Sequence, residues 1–595
     1  MKLTVSFLAL AATISLATTA EADTVPATTL AVASANAAAA RPARLPAQLT
    51  PQQRDQYRAI FSAIRGGRWS DAAAQLDVMP RGPLSDYARA EILTAKGSPK
   101  AELTQIEALL ASSPGLPQAP QLVRMARSRG GVEVAAVPEP QKLSWLGSAP
   151  IRRRAASMSR SDIVAAQLEA RILPLIKEDR PSEAEALVED KAGQLTPDAL
   201  TEWRQRVSWS YFLTGEDASA RRLAALAQTG TGDWAVQADW VAGLAAWRQQ
   251  DCRAAGIAFD SVGRRASDAE LRAAGYYWSA RADMVCKTPE KVQPKLRAAA
   301  RAEETFYGLL ALQAMGLKPT VDRSGDLTAT DWDRLSGNSN IRVAAALAEI
   351  GELSAADETL RYHARICDST DHAALLHLAK RLNLPTTQLW LAQNGPAGAH
   401  PGASARYPAP DWTPVGGWRV DKSLVFAHAL QESRFRTDVV SPAGAYGLMQ
   451  IMPAAAIDIS KRRGESWSRE KLTDPSTNIE YGQSHIEALR DFSGTQGLLP
   501  KVIAAYNAGP APVRDWNARA RDMGDPLLYI ESIPYWETRG YVAIILRNYW
   551  MYQSQAGQQS ASLKAMSQGM WPRFPGLPGA TAVRLDSVSG VASAE

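Results

Sequence analysis

Cysteine, net charge and long apolar runs are scarce in this sequence, and each scarcity excludes a class of protein. Three cysteines in 595 residues are too few for a fold that disulfides hold together. Lys and Arg total 66 against 61 for Asp and Glu, a balance too even to indicate a nucleic-acid-binding surface. Beyond the amino terminus no run of about 18 apolar residues occurs, so no other membrane-spanning helix is predicted.

Metal-binding and phosphate-binding patterns are also missing. The six histidines form no pair at ligand spacing beside acidic residues, and no glycine-rich loop precedes a basic residue. We therefore expect no metal ion and no other cofactor. The sequence is 46% apolar and 21% charged, which is typical of a globular protein, and its length suggests roughly four domain-sized units.

The amino terminus has the features of an export signal. Lys2 precedes an apolar run that ends near Ala17, and an Ala-x-Ala sequence that ends at Ala22 resembles a cleavage site. We predict a signal peptide over 1–22 and a flexible lead-in over 23–48. An uncleaved membrane anchor is the alternative.

The cysteines leave one pairing open. Cys252 and Cys286 both lie in the long middle region, whereas Cys367 stands alone. A disulfide is possible in an exported protein. Two alternatives are therefore open. Either Cys252 and Cys286 form a disulfide, or all three cysteines are buried free thiols. The distance between the Cα atoms of Cys252 and Cys286, which the sequence does not give, distinguishes the two.

Residues 49–400 carry a helical pattern almost throughout. Ala, Leu, Arg, Gln and Glu dominate, and apolar residues recur at intervals of three and four, for example from Ile163 to Ile176. Short helix pairs recur at a period close to that of tetratricopeptide repeats. Such hairpins bury their apolar faces only by stacking, so we predict an α-helical solenoid, or superhelix, whose last part is a candidate linker subdomain.

An irregular excursion interrupts this region. Residues 113–159 are rich in Pro, Gly and Ser, a composition that favours loops over helices. The excursion also contains the consecutive arginines Arg152, Arg153 and Arg154. This run is either a solvated loop or a contact for an acidic partner.

A second domain is predicted after a boundary rich in proline and glycine. These residues accumulate between Gly395 and Pro414 and interrupt the helical pattern. We predict a compact unit over 411–555. A C-terminal tail follows over 556–595, and its composition suggests an extended or poorly ordered chain from about residue 577.

One glutamate in the second domain has the setting of a general acid. Asp421 can cap a helix that runs through Leu424 and His428, and Glu432 continues the same stripe near the helix carboxyl end. Burial and the negative end of the helix dipole both disfavour the carboxylate, so both raise its pKa. A general acid that works at neutral pH needs such a raised pKa. The alternative is an ordinary exposed glutamate on a helix, which would show the same spacing from Leu424 and His428.

Four blocks around this glutamate carry a family resemblance: Gln431–Phe435, Ser441–Pro453, Ala504–Pro510 and Glu531–Val542. In their order and rough spacing they resemble the catalytic domain of soluble lytic murein transglycosylases. That family also has a large helical superhelix before its lysozyme-like domain. The resemblance therefore implies a mainly α protein, with an α-helical superhelix that can close into a ring, followed by an α-rich lysozyme-like domain.

The resemblance also implies roles for individual residues. Glu432 would be the single catalytic acid and base. Glu531 could equally be a buried structural carboxylate. Arg436 and Thr437 depart from the family pattern, which affects the expected shape of that loop and not the acid. The substrate-binding residues implied by the resemblance are Ser441, Gln450, Met452, Tyr506, Asn507 and Glu537.

The implied activity is non-hydrolytic cleavage of the β-1,4 bond between N-acetylmuramic acid and N-acetylglucosamine in peptidoglycan. The products would be 1,6-anhydro-N-acetylmuramic ends, formed from chain ends during cell-wall turnover in the periplasm. Glycan strands are the expected partner, and nucleic acid is not. Loose association with the outer or inner membrane and with other cell-wall enzymes is also possible. A lysozyme-type muramidase and a glycan-binding scaffold without catalysis are the alternatives.

Overall fold

The computed structural model describes residues 45–320 and 325–585, and these form 27 α-helices and two small two-stranded sheets. The predicted mainly α fold is confirmed for this part of the chain. The predicted signal peptide over 1–22 and most of the lead-in over 23–48 lie outside the described residues.

The first nineteen helices lie in the region predicted to be a superhelix, and most successive helices within each of the three groups below pack on one another. The first group, before the irregular excursion, is α1 (Pro51–Arg65), α2 (Trp69–Val78), α3 (Ser85–Thr94), α4 (Leu103–Ser112) and α5 (Ala119–Ser128). The second group is α6 (Ile163–Lys177), α7 (Pro181–Asp190), α8 (Pro197–Thr214), α9 (Asp217–Gln228), α10 (Gly232–Arg248), α11 (Cys252–Arg265), α12 (Ala269–Val285), α13 (Pro289–Ala300) and α14 (Phe306–Ala314). The third group is α15 (Ala329–Ser336), α16 (Ser339–Ile350), α17 (Leu353–His363), α18 (His372–Arg381) and α19 (Pro385–Gln393).

The remaining helices carry the family-like blocks. They are α20 (Lys422–Glu432), α21 (Pro453–Arg463), α22 (Pro475–Asp491), α23 (Leu499–Ala508), α24 (Pro510–Arg519), α25 (Pro526–Glu531), α26 (Trp536–Gln555) and α27 (Ala561–Ser567). Helix α26, which carries most of the fourth block, packs against both α20 and α23, so it lies beside the first and third blocks.

Local sequence signals fix many of the helix ends. The Thr50 hydroxyl accepts a hydrogen bond from the Gln53 amide, and the Gln53 side chain accepts one from the Thr50 amide, which makes a capping box before α1. Gly215 ends α8 with a φ of +85°, a left-handed conformation in which glycine carries no Cβ penalty. A polar cap therefore marks the start of α1, and a terminal glycine marks the end of α8.

The described helices bury two separate hydrophobic cores. The first core joins the first and third groups of helices, and α1 packs on α16. Arg54 pairs with Glu349 at 3.0 Å across this contact, and Arg65 pairs with Glu352 at 2.7 Å. The second core joins the second group of helices to α20–α27.

The excursion between α5 and α6 connects these cores. Its strand β1 (Ser144–Trp145) pairs antiparallel with β2 (Asn394–Gly395) beside the third group of helices. A few residues later, the Arg152 side chain reaches Glu531 of the second core. The acidic contact of the arginine run therefore lies within this chain, whereas Arg153 and Arg154 are exposed.

One of the two alternatives for the cysteines is found. Cys252 begins α11 and Cys286 follows α12, and the two form a disulfide with their Cα atoms 5.6 Å apart. Cys367 remains a free thiol. The bridge closes the hairpin of α11 and α12 at its open end.

The region after residue 556 contains regular structure as far as it is described. Helix α27 packs on α14, and β3 (Trp571–Pro572) pairs antiparallel with β4 (Ala582–Val583). Trp571 is completely buried. No helix in 45–320 or 325–585 combines the length and hydrophobicity needed to cross a bilayer.

Candidate active site

Glu432 is the last residue of α20, and the rest of that helix holds it in place. Asp421 caps the helix by accepting a hydrogen bond from the Ser423 amide at 2.8 Å, as the sequence predicts. The central residues of α20, from Leu424 to Ala429, are all buried. The glutamate therefore projects from a helix whose position is set by the core.

The backbone turns sharply after the glutamate. Arg434 and Phe435 both have left-handed φ values, +54° and +64°, which non-glycine residues adopt at a cost. Phe435 is buried against Trp412 and Phe426, with ring centroids 6.1 and 5.9 Å apart. This anchoring holds the unfavourable backbone conformation and ends the helix at Glu432.

The Glu432 carboxyl group has the electrostatic setting of an acid. Burial raises its pKa to about 7, and the negative charge of Glu537 adds to the increase. The Tyr541 hydroxyl donates a hydrogen bond to Oε1 at 2.5 Å, which favours the anion and lowers the pKa in part. Both protonation states are therefore populated near neutral pH.

Tyr541 is itself held by a buried histidine. The His428 Nδ1 lies 2.8 Å from the Tyr541 hydroxyl, and burial lowers the pKa of His428 to about 3, so the imidazole is neutral. The tyrosine has a single proton, which it donates to Glu432. While Glu432 is ionised, the hydroxyl oxygen can accept a hydrogen bond from His428 in the tautomer that carries its proton on Nδ1.

The loop of the second block is shaped by its own side chains. Ser441 Oγ accepts a hydrogen bond from the Ala445 amide at 2.9 Å, and Gln450 Nε2 donates to the Gly447 carbonyl at 2.7 Å. A Cβ on Gly447 would lie 2.3 Å from the Leu472 carbonyl oxygen, so only glycine fits there. Met452 follows the loop and is 44% exposed.

The third block places two further predicted residues near the acid. The Tyr506 hydroxyl donates to the Met449 carbonyl at 2.7 Å, and its ring lies 4.4 Å from that of His428. Burial raises the pKa of Tyr506 well above its usual value, and the charge of Glu432 raises it further. Asn507 Oδ1 accepts a hydrogen bond from Thr538 at 2.6 Å, which joins α23 to α26.

A cavity of about 910 Å³ opens beside this group. Asn507, Glu537 and Tyr541 line it on one side together with Gln431, the neighbour of Glu432. The opposite side is formed by the superhelix, in the segment around Pro150 and at Glu270, Phe306 and Tyr307. Glu432 itself, Ser441, Gln450, Met452 and Tyr506 lie outside the lining of this cavity, and Glu432 adjoins it through Gln431 and through its hydrogen bond with Tyr541.

Glu531 lies at the back of the same cavity in a buried ion pair. The Arg152 guanidinium contacts both of its carboxylate oxygens, at 2.7 and 3.1 Å. The Tyr307 hydroxyl donates to Oε1 at 2.7 Å. All hydrogen bonds to the Glu531 carboxylate come from the superhelix side, so it joins the two parts of the second core.

Sequence reasoning assigned no role to Tyr541 or His428. Tyr541 falls inside the fourth block, and His428 lies one helical turn before Glu432 on the predicted stripe. Only the packing of α26 on α20 brings the two side chains together. Among the described residues, no group of three or more His, Cys, Asp and Glu side chains could hold a metal ion.

Comparison with known proteins identifies this part of the chain. The family model described as the transglycosylase SLT domain matches residues 416–527. These residues belong to the transglycosylase SLT domain family. The SLT domain so defined includes α20 with Glu432, the loop of the second block and the third block.

Curated relatives resemble the chain over the SLT domain and its surroundings. The soluble lytic murein transglycosylase of Salmonella typhimurium is 37% identical over 163 residues, 26% of this chain and 24% of its own length. Membrane-bound lytic murein transglycosylase C of Actinobacillus succinogenes is 36% identical over 102 residues, 16% of this chain and 28% of its own length. The chain thus spans about a quarter of the length of these relatives.

A solved structure shares the wider fold. The 70-kDa soluble lytic transglycosylase in complex with bulgecin A aligns with a TM-score of 0.53 at 18% identity. The alignment covers 88% of this chain and 99% of the other. The overall fold of this chain is therefore shared with a solved structure.

Proposed function

We propose that this chain is a peptidoglycan lytic transglycosylase. It would cleave the β-1,4 bond between N-acetylmuramic acid and N-acetylglucosamine and leave 1,6-anhydro ends. The observation that carries the proposal is the buried Glu432, whose pKa of about 7 fits a single group that serves as acid and then as base. Its place in an SLT domain supports the same activity.

The first step uses Glu432 as an acid. The protonated carboxyl gives its proton to the glycosidic oxygen as the bond to the anomeric carbon breaks, and N-acetylglucosamine leaves with that proton as a hydroxyl. Positive charge develops at the anomeric carbon of N-acetylmuramic acid. The oxygen of the substrate's own N-acetyl group can cover this charge, so no second carboxylate is required.

The second step uses the resulting carboxylate as a base. Glu432 takes the proton of the C6 hydroxyl on the same sugar, and the C6 oxygen bonds to the anomeric carbon. The carboxyl group is protonated again and no water is consumed. Because the nucleophile belongs to the substrate, its effective concentration is high.

Two neighbouring side chains suit this chemistry in position and type. Tyr541 donates to Glu432 and so stabilises the carboxylate formed after the first proton transfer. Glu537 is exposed and raises the pKa of Glu432, which favours the proton donor. We assign Ser441, Gln450, Met452, Tyr506, Asn507 and Glu537 to binding of the sugars.

The proposal extends to the setting of the reaction. The chain would act on glycan strands in the periplasm, and its superhelix would favour cleavage from chain ends. Several points stay predictions. They are the domain limits 49–400, 411–555 and 556–595, the ring shape of the superhelix, loose association with a membrane, and partnership with other cell-wall enzymes. The names of the relatives, which refer to murein, support the substrate.

Mass spectrometry of purified peptidoglycan digested with the wild type and with Glu432→Gln tests the proposal. We expect 1,6-anhydro muropeptides from the wild type and none above background from the variant. Reducing ends in place of anhydro ends would favour a lysozyme-type muramidase. Unchanged release of anhydro products by a folded Glu432→Gln protein would overturn the proposal, and no product from either protein would favour a glycan-binding scaffold.

A further inference from the structure

A second, smaller cavity of about 210 Å³ lies behind the segment that joins α25 to α26. Helices α8 and α10 of the superhelix form its other side. Its walls include four indole rings, and we call it the tryptophan pocket, lined in part by Trp209, Trp234, Trp240 and Trp536.

A buried cation without a carboxylate partner faces this pocket. Arg539 is 8% exposed, and its guanidinium carbon lies 4.2 Å from the ring centroid of Trp209 and 5.3 Å from that of Trp536. Within the described chain, the side chain makes one hydrogen bond, to the Glu531 carbonyl at 3.5 Å, and its Nε has no partner. Burial lowers the pKa of Arg539 to about 10, so it stays charged at neutral pH.

The nearby acid does not neutralise this cation by direct contact. The Glu531 carboxylate is bonded to Arg152 and Tyr307 instead. A buried charge without a hydrogen-bonded counter-ion is unfavourable. An anion in the pocket would therefore be attracted to Arg539.

Two buried amides complete the polar side of the pocket. Gln205 of α8 is 7% exposed and Gln237 of α10 is 9% exposed, and both line the cavity. Neither side-chain amide has a hydrogen-bond partner among residues 45–320 and 325–585. Neither amide is among the fully buried polar atoms without a partner, so both open onto the cavity and are free to bond an occupant. Arg154, which is exposed, lies at the edge of the same pocket.

The size and location of the pocket restrict the occupant. A cavity of about 210 Å³ is small for a ligand site and suits one amino-acid-sized group. Arg154, Trp536 and Arg539 line both this pocket and the cavity beside Glu432. A group attached to the glycan in that cavity could therefore enter the pocket.

We propose that the tryptophan pocket binds a carboxylate of the peptide stem carried by the glycan substrate. The proposal rests on the proposed function, because it takes the glycan to be peptidoglycan. Arg539 provides the charge, Gln205 and Gln237 provide amide donors, and the indole rings cover the apolar part of the residue that bears the carboxylate.

A direct binding experiment uses the full chain and a small probe. N-acetyl-D-alanyl-D-alanine and its C-terminal amide are titrated while intrinsic tryptophan fluorescence is recorded. We expect the acid to quench the fluorescence saturably. The Kd of the amide should be about tenfold higher than that of the acid, which is the loss expected when a charge-assisted hydrogen bond is removed. Gln237→Leu should weaken acid binding to a similar extent. Equal binding of acid and amide would overturn the proposal.

A kinetic experiment compares two neighbouring arginines. Arg154→Ala removes a charge at the pocket edge, and Arg153→Ala removes an exposed charge one residue away that lines neither cavity. The measured quantity is the ratio of kcat/KM on glycan strands with stems to that on strands stripped of stems. We expect Arg154→Ala to lower this ratio severalfold and Arg153→Ala to leave it at the wild-type value. An equal ratio in the two variants would contradict the proposal.

The stripped strands separate this proposal from the proposed function. If the wild type releases anhydro ends from both substrates with equal kcat/KM, the stem-binding proposal fails while the transglycosylase proposal stands. If the wild type cleaves neither substrate yet binds the acidic probe more tightly than the amide, the activity proposal fails and the carboxylate pocket stands.

Discussion

At the scale of single residues, the proposed chemistry depends on a carboxyl group that must give up a proton and take it back. Burial raises the pKa of Glu432 to about 7, and the hydrogen bond from Tyr541 limits that increase. His428 in turn fixes the orientation of the tyrosine. The acid is therefore adjusted by two side chains that need not touch the substrate.

Tyr541→Phe removes the hydrogen bond that favours the Glu432 anion. The pKa of Glu432 should then rise, so the loss of kcat on the alkaline side should move to higher pH. We also expect kcat to fall by about 10- to 100-fold, because the carboxylate loses its orienting donor. The measurement is the pH profile of kcat.

Tyr552→Phe is the matched control for this variant. Tyr552 lies on the same helix, is buried, and donates its hydroxyl to the Pro408 carbonyl at 2.9 Å, away from Glu432. Its pH profile should match that of the wild type. An unmoved alkaline limb in Tyr541→Phe, or an equal shift in both variants, would show that Tyr541 does not adjust the acid.

Glu432→Gln should change stability in a pH-dependent way. The pKa of Glu432 rises from 4.5 to about 7 on folding, so the folded state binds its proton more tightly and the wild type loses stability as pH rises through this interval. The variant has no such loss, and we expect it to be more stable than the wild type at pH 8 by about 2 kcal/mol, allowing for partial exposure.

Urea unfolding at pH 8 and at pH 4.5 checks this prediction. The advantage of Glu432→Gln should almost disappear at pH 4.5, where the folded wild type is protonated at Glu432 and the carboxyl of the unfolded chain is half protonated. A difference in stability that is the same at both pH values would mean that the folded protein does not raise the pKa of Glu432.

The residue scale also shows what sequence alone could provide. Glu432 on an apolar stripe with a cap at Asp421 was visible, because both signals lie within one helix. Tyr541 is more than a hundred residues away, and only the contact between α20 and α26 brings its hydroxyl to the acid. A partner that depends on tertiary packing has no local signal.

At the scale of elements, the hairpin of α11 and α12 is closed by the bridge between Cys252 and Cys286. Replacing both cysteines with alanine should lower the free energy of unfolding by about 3 kcal/mol, because the unfolded chain regains the freedom of the closed loop. The measurement is denaturant unfolding of the oxidised protein.

Cys367→Ala is the control for the disulfide variant. Cys367 is a partly buried free thiol, so its removal should cost much less than removal of the bridge. An equal loss in the two proteins would indicate that the bridge does not stabilise the hairpin.

Helix α20 illustrates the limits of element prediction. Its start follows from Asp421, whereas its end does not follow from any glycine or proline. Arg434 and Phe435 adopt left-handed conformations because Phe435 is anchored in the core. Tertiary packing therefore sets the helix end that places Glu432, and a periodic pattern cannot show it.

At the scale of the whole molecule, the second core combines the superhelix with the SLT domain. Phe306 of α14 stacks on Trp550 of α26, with centroids 5.2 Å apart and planes inclined by 15°. Phe306→Ala should cost about 3 to 5 kcal/mol. Because the residue lies in the shared core, we expect the variant to lose activity at a lower temperature than the wild type.

Residual activity after heating, followed together with helix content, measures this effect. Leu110→Ala is the control, since Leu110 is completely buried in the first core. Leu110→Ala should lower the temperature at which helix content is lost. The temperature at which activity is lost should fall less in this variant than in Phe306→Ala. Equal shifts in both variants would mean that the two cores unfold as one unit.

The arrangement of the whole molecule was the hardest level of structure to predict from the sequence. Repeated helix hairpins predicted the superhelix, because each hairpin has its own local pattern. The contact of α1 with the third group of helices, for example between Arg54 and Glu349, joins residues hundreds of positions apart, as does the ion pair between Arg152 and Glu531. Contacts of that kind leave no periodic trace in the chain.

Digestion of purified peptidoglycan in water enriched in ¹⁸O tests the proposed single-glutamate transfer most directly. Internal attack by the C6 oxygen predicts new muramic ends that contain no ¹⁸O. One ¹⁸O atom at each new reducing end would contradict it and show that water is the nucleophile.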